Sequence, residues 1–216
     1  MNFRAAWRHV EYNYHEGGIR QLVHKVAYRL RQWLWSDAAW LIYRLDAAPP
    51  QRQAVLPLET TILAFDELVR LAYFKALAFP EGIRERLDSG AVCRGFFLDG
   101  ELVNIAWITR GYLEMEPGVR VFESASVGIF DCYTLPAHRG KGVYTNSLVR
   151  LADMAAEGDA SCALIGVDPG NIASIRGIER AGFQPFFRLT RVRRFGRESL
   201  RKEGFAPHSV SAHRGY

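Results

Sequence analysis

Leu135-Pro136-Ala137-His138-Arg139-Gly140-Lys141-Gly142-Val143-Tyr144 is the stretch on which the fold of this chain turns. An apolar strand, roughly residues 126–135, stops at Pro136. A short loop with two glycines and two cations follows, and a helical pattern begins at once, with Val143, Leu148, Leu151 and Met154 on one face. Strand, glycine-rich basic loop and helix start together make an anion site. The first N–H groups of a helix have no partner inside it, and the helix dipole favours negative charge there. Gly140 and Gly142 let a phosphate approach the backbone, and Arg139 and Lys141 add charge. The loop reads as a pyrophosphate cradle.

Its spacing excludes two familiar phosphate motifs. Lys141 lacks the preceding glycine pattern of a P-loop and is not followed by Ser or Thr. The G-x-G pair lacks the third glycine of a dinucleotide fingerprint, and the strands before it form a meander instead of opening a βαβ unit.

Upstream, residues 1–37 form a basic amphipathic extension. Ile19, Leu22, Val23, Val26, Leu30 and Leu34 recur in steps of three and four, with Trp7, Trp33, Trp35 and many Arg and His between them. Two readings stay open: the helix packs on the main domain, or it lies on a membrane surface or a carrier protein. A strand at 38–45 follows, then a Pro-rich loop, helices at 65–79 and 80–87, strands at 92–98 and 102–109 around the turn Asp99-Gly100, a loop at 112–119, and a long strand at 120–135. Beyond the cradle come a helix at 143–156, a strand at 161–167, a helix at 171–181, and two short strands at 183–187 and 188–195. Residues 197–216 are polar and basic and read as a mobile tail. Mixed strand and helix in this order predict an α/β fold with helices on both faces.

A second motif stands downstream: Asn171 opens a helix, Ser174 lies three residues on, and the helix closes on Gly182-Phe183. Here the chain resembles the GCN5-related N-acetyltransferase (GNAT) superfamily over about residues 38–195. The first family motif, R/Q-x-x-G-x-G/A, is matched by Arg139, Gly140, Lys141, Gly142 and Val143, with Tyr144 at its end. The second, N-x-x-S/A…G-F, is matched by Asn171, Ser174, Gly182 and Phe183. The resemblance implies a GNAT-like mixed, mostly antiparallel central sheet, splayed where its fourth and fifth strands (120–135 and 161–167) part. It makes 38–196 an acyl-CoA-binding N-acyltransferase domain and acetyl-CoA the co-substrate. Cradle residues Arg139, Gly140, Lys141, Gly142, Val143 and Tyr144 would meet the pyrophosphate. Cys132, Tyr133 and Thr134 would pair with the pantetheine arm, and Asn171 would reach it.

The implied reaction is direct attack of a primary amine on the thioester, helped by a base and an acid. The family's acid is a Tyr seven residues after the motif Asn; that position is Ile178 here. Tyr144, Tyr133 and Cys132 are the substitutes for the acid, and Asp131 and Glu123 the candidates for the base. His138 reads as solvent-exposed or near phosphate. The acceptor reads as a small-molecule amine, such as an amino acid or amino sugar. Arginines within 65–87 and 185–193 suit an acceptor with phosphate or carboxylate. Alternatives are a long-chain N-acyltransferase fed by acyl-CoA or acyl carrier protein, and a CoA-binding module without catalysis.

Composition narrows the surroundings. The 216 residues carry a net charge of +5 and three Cys, an odd and widely spaced set that reads as buried free thiols in a reducing, cytoplasmic setting. No Cys–His spacing suggests a metal, no nucleic-acid reader motif is found, and no apolar run is long enough to cross a membrane. The N-terminus lacks a signal-peptide core. A homodimer is left open.

Overall fold

The computed structural model describes residues 35–46, 56–71, 80–116 and 119–204. The basic extension up to residue 34, the loop at 47–55, the second half of the helix expected at 65–79, and the tail from 205 lie outside these residues. In chain order the elements are β1 (Trp35–Asp46), β2 (Glu59–Ile62), α1 (Phe65–Arg70), α2 (Pro80–Asp88), β3 (Val92–Leu98), β4 (Glu101–Glu116), β5 (Val119–Thr134), α3 (Val143–Glu157), β6 (Cys162–Val167), α4 (Ile172–Arg180), β7 (Gln184–Arg194) and β8 (Arg197–Gly204). A 3-10 turn at Pro136–His138 joins β5 to α3.

The described residues fall into two compact units. The larger, Trp40–Arg188, holds a mixed, mostly antiparallel sheet in the order β2-β3-β4-β5-β6-β1-β7. Within it β5 and β6 are parallel, whereas β2–β3, β3–β4, β4–β5 and β1–β6 are antiparallel. The smaller unit holds residues 35–39 of β1, residues 189–194 of β7, and β8. There Arg194 lies over the Trp35 ring and pairs with Asp37.

Helices cover both faces of the larger sheet, as the pattern predicts. Side chains alternate along a strand. On β3, Phe96 points into the cluster that contains Leu148 and Leu151 of α3 and Ile178 of α4. Cys93 faces the opposite way, opposite Trp107 of β4 in register, and α2 closes that face by laying Arg86 over the Trp107 and Phe130 rings. α3 forms because Val143, Leu148, Val149, Leu151 and Ala155 recur at helical spacing and all are buried. Each of the Val and Leu side chains contributes about 1.5–3 kcal/mol by leaving water.

Several elements differ from the sequence pattern. α1 stops at Arg70, where Leu71 turns extended. The loop expected at 112–119 is strand up to Glu116 and again from Val119. The β4–β5 ladder absorbs Gly111, at φ +77°, as a register shift and then continues. The two short strands expected after residue 183 are the single strand β7. Phe187, Leu189 and Arg191 are buried alternately straight through the expected break. The stretch 197–204, expected in the mobile tail, is β8. All its residues are exposed, so its order comes from the hairpin turn at Phe195-Gly196, both at positive φ, and not from burial. β2 is too short and too polar to announce itself.

One half-buried pair gives the fold a pH signature. Tyr43 of β1 is buried and donates its hydroxyl to Glu179 of α4. Burial, then that carboxylate, pushes the phenol up to about 12. Burial likewise pushes the Cys93 thiol up to about 12. A folded-state pKa above the ordinary value means stability that is present below the ordinary value and lost as pH rises toward the folded one. The protein should therefore lose about 2–3 kcal/mol through Tyr43 alone between pH 10 and 12. Tyr43→Phe should flatten that limb in denaturant melts at a series of alkaline pH values. An unchanged limb would remove Tyr43 from the account.

Candidate active site

Two strands part at one end of the larger sheet. The β5–β6 ladder runs from Ser126–Cys162 to Ile129–Ile165 and ends there. β6 goes on pairing with β1 through Val167, and β5 goes on pairing with β4 through Thr134. Residues 130–134 of β5 thus leave their β6 edge open, which is the splay expected between the fourth and fifth strands. Asp131 sits at the departure with φ +47°, and the β4–β5 register slips by one residue there. That is a β-bulge, a device that re-aims side chains beside sites.

α3 begins at the mouth of this opening. Its N-cap is Gly142, left-handed at φ +78°, with no side-chain cap and no acid in the first turn. The first amides therefore keep their donors and their partial positive charge. Gly140 is also left-handed, at φ +74°, and a Cβ there would meet nothing within 4 Å. Lys141 is exposed beside them. Arg139 is more committed: its Nε donates to the Thr134 carbonyl at 3.1 Å and its guanidinium lies over the Tyr133 ring. His138 turns away from the loop toward Glu101, 3.5 Å off.

Across the opening, Asn171 caps α4 by accepting from the Ser174 amide at 3.2 Å. Its Oδ1 is used in folding the helix; the side chain itself is exposed. Cys132 is half-buried, and burial, then Asp131, pushes its thiol well above the usual range. Thr134 receives the side chain of buried Asn104 at 2.8 Å, which fixes the strand end.

Tyr144 is the residue the sequence could name but not place. Its ring lies against Gly177 of α4, so closely that a Cβ on Gly177 would stand 2.6 Å from ring carbon Cδ1. Its phenol stands in the neighbourhood of Ser174 and Cys132. Burial, with Cys132 next, drives the phenol far above its ordinary value, so it stays protonated. Ile178, where the resemblance expects the acid, is fully buried in the core and does not reach the opening.

Asp131 pairs with Arg86 of α2 at 2.6 Å, on the Trp107 side of β5. Glu123 is not part of the site: it lies eleven residues before Thr134 on the same strand, about 35 Å along it, and pairs with Arg44. Sequence reading missed Arg86, which arrives from a distant helix. It also passed over Gly177, although a glycine inside a helical pattern costs about 1 kcal/mol and so signals close approach. Among the described residues no cluster of His, Cys, Asp or Glu could hold a metal ion.

The arrangement offers a free strand edge, unpaired helix-start amides and one phenol held protonated beside them. Comparison with known proteins agrees in fold. The sequence profile of the acetyltransferase (GNAT) family matches residues 27–183. No curated protein matches the chain. A GNAT-family acetyltransferase from Colwellia psychrerythraea aligns over 83% of this chain and 62% of its own, at 15% identity and a TM-score of 0.50. A functionally unknown conserved protein from Staphylococcus epidermidis covers 84% of this chain and 68% of its own, at 11% identity and a TM-score of 0.50. An acetyltransferase from Bacillus subtilis solved in complex with CoA covers 60% and 76%, at 19% identity and a TM-score of 0.45. This chain thus spans less than two thirds of the length of the Colwellia protein.

Proposed function

The chain belongs to the acetyltransferase (GNAT) family, and we propose that it moves an acetyl group from acetyl-CoA to the primary amine of a small molecule. The observation that carries this reading is the meeting of the open β5 edge with the uncapped, glycine-flanked start of α3. The residues fit the donor. Amides at 142–144, with Lys141, suit a pyrophosphate. Backbone groups of 131–134 suit a pantetheine arm, and Asn171 stands opposite. Acetyl-CoA supplies an activated acyl group on a thiolate leaving group.

The protein's own groups do the rest. Tyr144 holds a proton at Oη, kept there by burial, and delivers it to the departing sulfur. The same dry surroundings raise the proton affinity of a thiolate, so the transfer is not opposed by the phenol's high pKa. Asp131, oriented by Arg86, attracts the acceptor ammonium and draws off its proton. The β5 bulge sets Asp131 on the α2 side while Cys132 joins the α3 core, so acceptor and donor approach from opposite faces. Extension residues 1–37 remain the proposed contact for a membrane surface or carrier protein.

Purified protein should gain thermal stability with acetyl-CoA and release CoA when a panel of small amines is added. Neither effect with any amine would overturn the reading; stabilisation without turnover at any pH would make the chain a CoA-binding module. Longer acyl-CoA donors in the same assay read chain length. Lys141→Ala should raise KM for acetyl-CoA about three- to tenfold, with a weaker salt dependence, because a screened surface cation is lost and the amides remain. An unchanged KM would take Lys141 out of the cradle.

A further inference from the structure

A second pocket lies under the far end of α3, about 18 Å from the cradle along the helix. It has a volume of about 130 Å³. Ile108, Val127, Leu151 and Met154 make its walls apolar, and two arginines, Arg94 of β3 and Arg110 of β4, stand in it.

Arg94 is the anomaly. It is half-buried, and its Nε is out of solvent with no hydrogen-bond partner. No carboxylate pairs with it among the described residues. Burial lowers its pKa, and so does a nearby cation, Arg150. Among the described residues Arg110 reaches only the Gly158 carbonyl, at 3.5 Å. The remaining polar group, the Thr109 hydroxyl, is already bonded to the Tyr112 carbonyl. A buried guanidinium N–H ordinarily finds a partner, because an unsatisfied buried donor is costly. Here the described residues supply two cations and an apolar hollow, with no acid among the residues that line it.

The geometry points to a binding site for a compact monocarboxylate with an apolar body. The carboxylate would meet Arg94 as a two-point partner, the geometry a guanidinium favours, with Arg110 adding charge. The body would fill the hollow between Ile108, Val127, Leu151 and Met154. A volume of this order holds about one six-membered ring. The site is independent of the acetyl-transfer reading, since it uses none of the residues of the cradle or the β5 opening.

Benzoate is the probe and Met154 the reporter. In protein labelled with 13C-methyl methionine, benzoate should shift the Met154 signal saturably, with a Kd near 1 mM, and leave Met115 unmoved. Benzamide, the neutral counterpart, should shift it at least about tenfold less. Arg94→Met should abolish the benzoate response and, by removing an unpaired charge, raise the melting temperature of the ligand-free protein. Arg94→Lys should retain a weakened response. The proposal is overturned if benzoate leaves Met154 unmoved, if benzamide or chloride acts as benzoate does, or if Arg94→Met responds like the parent.

Discussion

Tyr144→Phe should lower kcat for acetyl transfer about 100-fold or more, and should change the Kd for CoA by less than about twofold. The substitution removes one oxygen and leaves the ring against Gly177, so the fold and the cradle amides stay in place. What is lost is the phenol proton, intrinsically far more acidic than the Ser174 hydroxyl and set beside Cys132. The pH dependence carries the sign. Tyr144 is held protonated far above its ordinary value, so in the parent the rate should climb with pH as the acceptor amine deprotonates. No descending limb from Tyr144 should appear below about pH 10. In the variant the climb should persist at the lower level. A loss confined to KM, or no loss at all, would move the acid to Tyr133 or Cys132.

Gly177→Leu should be the most disruptive single change in the site. The new Cβ would stand 2.6 and 2.9 Å from two carbons of the Tyr144 ring, well inside contact distance. Leucine is the better helix former by about 1 kcal/mol, but overpacking of this kind costs about 1–3 kcal/mol and displaces the ring besides. The variant should melt lower and lose activity together. Adding Tyr144→Ala should then recover most of the stability, since the ring that blocked the leucine is gone, while activity stays lost with the hydroxyl. Recovery tests the pairing directly: additive losses in the double variant, measured by denaturant unfolding, would mean that Tyr144 and Gly177 do not share one space.

That pairing shows where the sequence was legible and where it was not. The cradle, the Asn171 cap and the α4 ending at Gly182-Phe183 are local, set by a few adjacent residues with special backbone or capping needs, and they can be read from spacing. The Tyr144–Gly177 fit joins two helices thirty-three residues apart and has no local trace beyond an odd glycine. The resemblance flagged Tyr144 as too large and Ile178 as wrong, and the structure answers both: a large residue at 144 fills space that a glycine at 177 leaves, and Ile178 belongs to the core. Glu123 misled because charge on a strand says nothing about which end of it a site occupies. On a sixteen-residue strand the ends stand about 50 Å apart. Asp131 was near enough in sequence, but the bulge that aims it and the Arg86 that holds it come from tertiary contact. β8 was unreadable because hydrogen bonds to its neighbour, and not an apolar face, hold it in place.

The uncapped start of α3 has a further consequence for regulation. Its amides and glycines would grip the phosphate end of the coenzyme, and that end is identical whether or not an acetyl group is attached. Grip of this kind lowers both free energies alike and does not favour the charged donor over the spent one. Spent coenzyme should then compete on nearly equal terms, and turnover in the cell would follow the ratio of acetylated to free coenzyme more closely than the amount of either. Such an enzyme would slow when acetyl groups run short, with no separate regulatory device.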